Sequence, residues 1–327
     1  MPKLIAFLVF LLIELIFLPS TILGMILFAG VFLREVRGKN ISITAYDPLF
    51  AHWVLDALGK RDDEAAGRLL YALPGGSPGL LGLAFGPTMW AMHVTGFTIK
   101  MYDYPVHSSS GIFAILGHRT TFFDDALLRH LDHVEQVVIL GAGWDTRAYG
   151  MARRKGVRVF EVDTVETQAQ KRESLEKAKI DSTDVTFAPA NFNKESWLDA
   201  LKRVGFDPDK PTFILWEGVT YYLEAEAVEA TIQTVATQLA KGSAIAFDYA
   251  AKHIIEGDAS LFVRIALLEL RIFGEPWMFG ISTDPPAKEQ LVEFLGHNGL
   301  KLAEYEPIGK GDKKQRLDGG LALAVNN

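Results

Sequence analysis

The sequence predicts an α/β fold on a mostly parallel sheet, with a ligand site at the strand ends, and three observations carry this. Residues 137–140 form a β-branched apolar run that stops at Gly141-Ala142-Gly143, which reads as a buried parallel strand entering a glycine turn. A second strand over 157–162 ends at Asp163, about twenty residues beyond the turn, where an acidic side chain can accept hydrogen bonds from both hydroxyls of a ribose. Further strand patterns at 185–190, 212–216 and 243–248 alternate with helical ones at 164–179 and 224–240, the rhythm of a parallel sheet with crossover helices. The glycine turn lets the backbone bend tightly and a ligand come close. Asp145 and Thr146 each suit the cap of a short helix over 145–154. The turn is not the dinucleotide fingerprint, because Thr146 stands where the third glycine belongs.

The chain has 327 residues, a formal net charge of -7, no cysteine and a mean hydropathy of +0.15. The acidic balance argues against a nucleic-acid surface, and the lack of cysteine excludes disulfides, thiolate metal sites and a cysteine nucleophile. The eight histidines show no H-x-x-x-H or H-E-x-x-H spacing, so no metal site is expected. The apolar excess gathers at residues 4–33, broken by Glu14 and Pro19-Ser20. Such a run exceeds the roughly twenty residues that cross a bilayer. It reads as a long tilted helix kinked at Pro19, a hairpin turning there, an interfacial segment, or a buried soluble helix. Within it Glu14 must be protonated, paired or turned to a neighbouring helix. Arg34, Arg37 and Lys39 come after the run and only Lys3 precedes it, which places residues 41–327 on the cytoplasmic side.

The division expected is 1–40 as membrane anchor, 41–116 as helical cap and 117–327 as the ligand-binding domain. Residues 41–60 and 60–71 read as helices, and 74–79 as a loop. That loop contains a literal G-x-S-x-G around Ser77, with prolines on both sides where a nucleophile elbow needs a strand and a helix. Residues 80–99 are apolar but carry three glycines, Pro87 and His93; they read as a helix packed over the active site or as an interfacial segment. Asp124 and Asp125 suit the N-terminus of a helix over 126–131. The face 166–177 reads as solvated charge, Lys171 included. Glu161 and Asp163 point the same way along their strand, with Asp163 the first choice for the ribose and Glu161 the second. Glu217-Gly218 closes the strand at 212–216, so Glu217 faces the ligand crevice, with Tyr221 and Tyr222 as aromatic walls. Helices over 258–273 and 287–298 precede strands at 300–306 and 317–325, with 310–316 as a hairpin turn.

The runs VVILGAGWDTRAYG, FEVDTVETQAQKR and ILWEGVTYYL resemble the leucine carboxyl methyltransferase family, and G-A-G-x-D-T-R is its most specific segment. Residues 117–125, GHRTTFFDD, are similar to the family's A-R-T-x-F-x-D-D, and Ser42, Thr44 and Ala45 to its S-x-T-A opening. The resemblance runs from residue 41 onward, most securely over 117–248, and omits the first forty residues. It implies a class I methyltransferase sheet closed by a C-terminal antiparallel hairpin, with S-adenosylmethionine as cofactor. It implies a donor site of Gly141, Ala142, Gly143, Asp145, Thr146, Asp163, Asn191, Phe192 and Glu217, and pairs Arg119 with the donor's methionine carboxylate, a match for the guanidinium fork. Arg147 belongs to the same run and reads as either a partner of that carboxylate or a structural partner of Asp145 or Asp163, the structural role being favoured. Asp124 stays open between the site and the helix end. Asn191 stands where the family has an aspartate near the adenine, and its amide oxygen can still accept.

Glu217, Tyr222 and His253 are the candidate catalytic residues. A carboxylate or thiolate acceptor needs no general base; a hydroxyl does, and Glu217, His253 and His93 are available for it. The expected function is methyl transfer at a membrane to a small or lipid-soluble acceptor. A nicotinamide-dependent oxidoreductase would use Asp163 equally well, and a non-catalytic donor-binding scaffold at the membrane is the third reading. Oligomeric state has no signature in the sequence.

Overall fold

The computed structural model describes residues 2–37, 39, 41–107, 115–154, 156–309 and 316–326. Its centre is a sheet of β1 (Gln136–Leu140), β2 (Arg158–Asp163), β3 (Val185–Pro189), β4 (Thr212–Trp216), β5 (Ala244–Ala250), β6 (Lys301–Ile308) and β7 (Gly319–Val325). The strand order is β3-β2-β1-β4-β5-β7-β6. The first five strands are parallel, with Val138 opposite both Phe160 and Ile214, while β7 runs antiparallel between β5 and β6. This is the predicted class I methyltransferase sheet, closed by the predicted antiparallel pair.

β1, β4 and β5 are buried along their whole length, which is why they read as unbroken apolar runs. The period of two divides their side chains between two cores. Val137, Ile139, Phe213 and Leu215 pack with Phe123 and Leu127 on one face. Val138, Leu140, Ile214 and Trp216 pack with Leu198, Ile232 and Leu291 on the other.

The helices are α1 (Lys3–Val36), α2 (Tyr46–Ala57), α3 (Glu64–Ala72), α4 (Pro78–Thr95), α5 (Ile115–His130), α6 (Val165–Lys177), α7 (Trp197–Arg203), α8 (Ala225–Gln238), α9 (Lys252–Ile255), α10 (Leu261–Ile272) and α11 (Ala287–His297). Side-chain oxygens of Asp63, Ser77, Thr164, Ser196 and Ser260 cap the starts of α3, α4, α6, α7 and α10.

Several expectations change. α1 runs unbroken through Pro19, so no hairpin turns there; the helix that returns along it is α4. Phe10 meets Phe97, Phe17 meets Trp90 and Phe28 meets Phe85, an antiparallel pairing. Gly24 makes the close crossing, for a Cβ there would lie 2.6 Å from the Ala84 nitrogen. Glu14 faces this neighbour and accepts from the Thr88 hydroxyl at 3.1 Å. The segment 80–99 therefore lies along α1, not over the strand ends. Asp124 and Asp125 sit deep within α5 and cannot serve its N-terminus. No α-helix succeeds the glycine turn, where a short 3₁₀ turn, Arg147–Tyr149, stands instead; Asp145 accepts from the Arg147 amide, and the Arg147 side chain turns inward. The hairpin turn read at 310–316 lies, from 310 to 315, outside the described residues.

α1 is 34 residues long and keeps its outward apolar side chains exposed. At 1.5 Å per residue it spans about 50 Å, against about 30 Å for a hydrocarbon core.

Candidate active site

A cavity of about 630 Å³ opens where β1, β2 and β4 end, within the range of about 300–1,000 Å³ usual for small-molecule sites. Gly141, Ala142 and Gly143 form one wall, with Trp144, Asp145, Asp163 and Phe192 around them. The turn is pinned from below, since the amides of Gly141 and Ala142 both donate to the Val162 carbonyl, at 2.8 and 3.0 Å. Gly141 has φ +66°, and a Cβ on it would meet the Val219 side chain at 2.4 Å. No other residue fits that turn unchanged.

Asp163 holds the turn from the side. One carboxylate oxygen accepts from the Gly143 amide and the other from the Thr164 amide, each at 2.7 Å. Burial raises its pKa, and the two amides oppose that rise. Glu161 does not share the cavity. It lies in the interior, bound to Lys171 at 2.8 Å and to the Tyr149 hydroxyl at 2.9 Å. Burial pushes its carboxyl up to about 7. Lys171, expected in solvent, is buried and donates to the Ala142 carbonyl at 3.3 Å. The second-choice ribose acid is thus a prop beneath the glycine turn.

Across the cavity Arg119, on α5, lies 2.9 Å from Glu217 and 3.6 Å from Asp248. Glu217 also binds Arg147 at 2.8 Å. Arg147 is wholly buried and reaches Asp145 and, at 2.6 Å, Asp124. It binds Asp145, not Asp163. Asp124 accepts in turn from Arg61 at 2.7 Å and from the Tyr104 hydroxyl at 2.9 Å. Burial works against ionisation of Asp124, but Arg147 and Arg61 prevail and hold its carboxyl far below the usual range. Arg61 continues to Asp63, which accepts from Thr146 at 2.6 Å. Acids and arginines alternate along this chain, so each charge is buried with partners.

The cavity therefore collects Arg119, Gly141, Ala142, Gly143, Asp145, Asp163, Phe192, Glu217 and Tyr222 from the expected residues. It leaves out Thr146, turned to Asp63; Asn191, whose side chain accepts from the Asn193 amide at 3.0 Å; and His253, beside Thr283 at 3.5 Å. Asn193 takes the lining place instead of Asn191. His93 is exposed on α4. His253 and His93 are thus both away from the site, and Glu217 is held by two arginines.

The sequence did not single out Asp47 and His52 of α2, Trp144, Leu270, or the segment 274–278 with Glu275 and Trp277, all of which line the cavity. His52 is buried, its Nδ1 3.5 Å from the Asp63 carboxylate and its Nε2 without a hydrogen bond. Burial, then Arg61 and Arg147, push its pKa well down, so it is neutral. The Trp144 indole N–H is also without a partner. These orphaned polar atoms, with the glycine cradle and the paired Asp163 and Arg119, fit a polar ligand with a ribose at one end and a carboxylate at the other.

A Streptomyces avermitilis protein named as a candidate S-adenosyl-L-methionine-dependent methyltransferase is 37% identical over 221 residues, covering 63% of this chain and 73% of its own. The sequence profile of leucine carboxyl methyltransferase matches residues 95–236. The chain belongs to the leucine carboxyl methyltransferase family. It is an S-adenosylmethionine-dependent methyltransferase, in agreement with the resemblance read from its motifs. A Parafrankia relative of the same description is 34% identical over 196 residues, covering 59% of this chain and 60% of its own. Among solved structures, one of a candidate methyltransferase from Thermobifida fusca is 15% identical with a TM-score of 0.46, covering 80% of this chain and 94% of that one. A likeness of that degree adds nothing to what the strand order already shows.

Proposed function

We propose that this methyltransferase is held at a membrane by α1 and transfers a methyl group to a small or lipid-soluble acceptor, at a carboxylate or hydroxyl oxygen or a thiol sulfur. The observation that carries the reading is the convergence of the glycine turn, Asp163 and Arg119 on one cavity, in a family defined by its methyl donor. S-adenosylmethionine, when bound, supplies a methyl carbon activated by a sulfonium. Asp163 accepts from the ribose hydroxyls while its two amide partners keep it oriented. Arg119 would hold the methionine carboxylate through its guanidinium fork, and Glu217, held between Arg119 and Arg147, would face the donor's amino group. Trp144 and Phe192 wall the adenine. Tyr221, Tyr222 and Trp277 shape the acceptor side and exclude water, which favours a step in which a positive charge disappears. The work of these residues is alignment of the nucleophile with the methyl carbon for in-line displacement. A carboxylate or thiolate then needs no base. The basic residues after α1 support a cytoplasmic place for the cavity.

The test is calorimetric titration of the detergent-purified protein with S-adenosylmethionine and with its demethylated product. Binding of both on the order of micromolar is expected, and about 100-fold weaker binding in Asp163→Ala, the loss of charged hydrogen bonds worth roughly 3 kcal/mol. Equal affinity in the variant would overturn the site.

A further inference from the structure

α10 carries an apolar line that no described residue covers. Leu261, Ile265, Leu268 and Ile272 recur at the spacing of one helix face. They are 72%, 58%, 57% and 73% exposed. Leu270, on the opposite side of the same helix, lines the cavity. Arg264 and Arg271, two turns apart, flank the line on one side. Both are exposed, and neither guanidinium has a hydrogen bond or an ion pair among the described residues. Glu269 stands on the other flank, also exposed. An apolar stripe edged by such arginines matches an interface where acyl chains meet anionic headgroups.

The end of the helix is also tied to the segment that follows α1. Glu275, just past the end of α10, accepts from the amides of Ile43 and Thr44, at 3.0 and 3.2 Å. Ile43 and Thr44 come soon after the end of α1, beyond Arg34 and Arg37. One carboxylate thus joins the end of α10 to the segment that links α1 and α2, at the rim of the cavity.

We propose that the outer face of α10 is a membrane-contact surface, seated in the headgroup layer of an anionic bilayer beside the point where α1 leaves it. This rests on α1 being a membrane anchor. Leucine and isoleucine side chains enter the acyl boundary, and Arg264 and Arg271 reach up to lipid phosphates. The cavity then lies one helix away from the bilayer, with its rim at 274–278 facing it, and an acceptor dissolved in the membrane enters there without crossing water.

The chain has no cysteine, so Leu15→Cys, Ile265→Cys and Glu293→Cys each give one site for a nitroxide on the full-length protein. Each is reconstituted in phosphatidylcholine–phosphatidylglycerol vesicles and read by collision with oxygen and with a water-soluble nickel chelate. The nitroxide at 265 is expected to prefer oxygen, as at 15, while that at 293, on the exposed face of α11, prefers nickel. Arg264→Gln with Arg271→Gln is expected to move the 265 label toward nickel, and an unmoved label overturns the role of the arginines. Nickel access at 265 equal to that at 293, with 15 still in the acyl region, overturns this proposal alone. Nickel access at 15 as well overturns the anchor beneath it. Protection at 265 with spin–spin broadening that fades on dilution with unlabelled protein means that a second copy covers the face, and also overturns the proposal.

Discussion

Asp248 shows how much one buried carboxyl contributes. Its Oδ1 accepts from the Gly218 amide at 2.7 Å, and its other oxygen lies 3.6 Å from Arg119. Burial, helped by Glu217 and opposed by Arg119, raises it to about 6, against about 3.9 in an unfolded chain. A carboxyl raised in the folded state contributes stability that is complete below about pH 4 and lost as pH climbs through 6. Asp248→Asn keeps an acceptor for Gly218 and cannot titrate. Between pH 4 and 7 the wild type should therefore lose about 2–3 kcal/mol relative to the variant, read as melting temperature against pH. Curves that stay parallel would refute the assignment. The same scale explains why Arg147 could be paired with Asp145 from the sequence but not placed in the rest of its network. Its other partners, Asp124 and Glu217, lie far away in sequence, where no local pattern reports a buried ion pair.

At the scale of the element, the glycine turn joins sequence to site most directly. Gly141→Ala would force a Cβ into Val219 at a backbone conformation that side chains avoid. Donor affinity should fall at least tenfold, and adding Val219→Ala should restore part of it by removing the clash but not the strain; titration of the two proteins checks this. Full affinity in Gly141→Ala would refute the close packing. The strands were legible because parallel strands buried on both faces read as apolar runs, and β4 was placed to the residue. The helix after the turn was not, because Asp145 and Arg147 spend their side chains on a tight turn and a buried network instead of on a helix surface. Asp163 was legible from its distance to the glycines, whereas Asp47, His52 and Glu275 reach the cavity only through tertiary packing. Lys171 was misread for the same reason, since its charged neighbours on α6 hid a partner on β2.

In the whole molecule, the paired helices α1 and α4 and the sheet domain divide the labour, with no residue of α4 in the cavity wall among the described residues. Gly24→Leu would push α1 from α4, where a Cβ has no room beside the Ala84 backbone. Overpacking of this kind costs about 1–3 kcal/mol, so the melting temperature should fall while affinity for S-adenosylmethionine stays unchanged. A parallel loss of affinity would show that the two parts are coupled. The apolar length of α1 was plain in the sequence, but its partner was not, because the segment of α4 reads as a helix apolar on every side, and such a pattern does not say which neighbour it packs against.

The placing of β7 between β5 and β6 carries a consequence in time. β6 precedes β7 along the chain, yet it cannot take the edge of β5, which β7 must occupy from Ala244–Val325 to Ala250–Gly319. A strand threaded late between two formed neighbours would have to break one ladder to make another. The hairpin of β6 and β7 is closed by a short connection, so its loop entropy is small, and pairing β7 with β5 closes a far longer one. The least costly route makes the hairpin first and docks it as a unit, β7 leading. Until then the edge of β5, with Phe247 and Tyr249 on it, stays open, and that is when the chain is most exposed to the wrong partner.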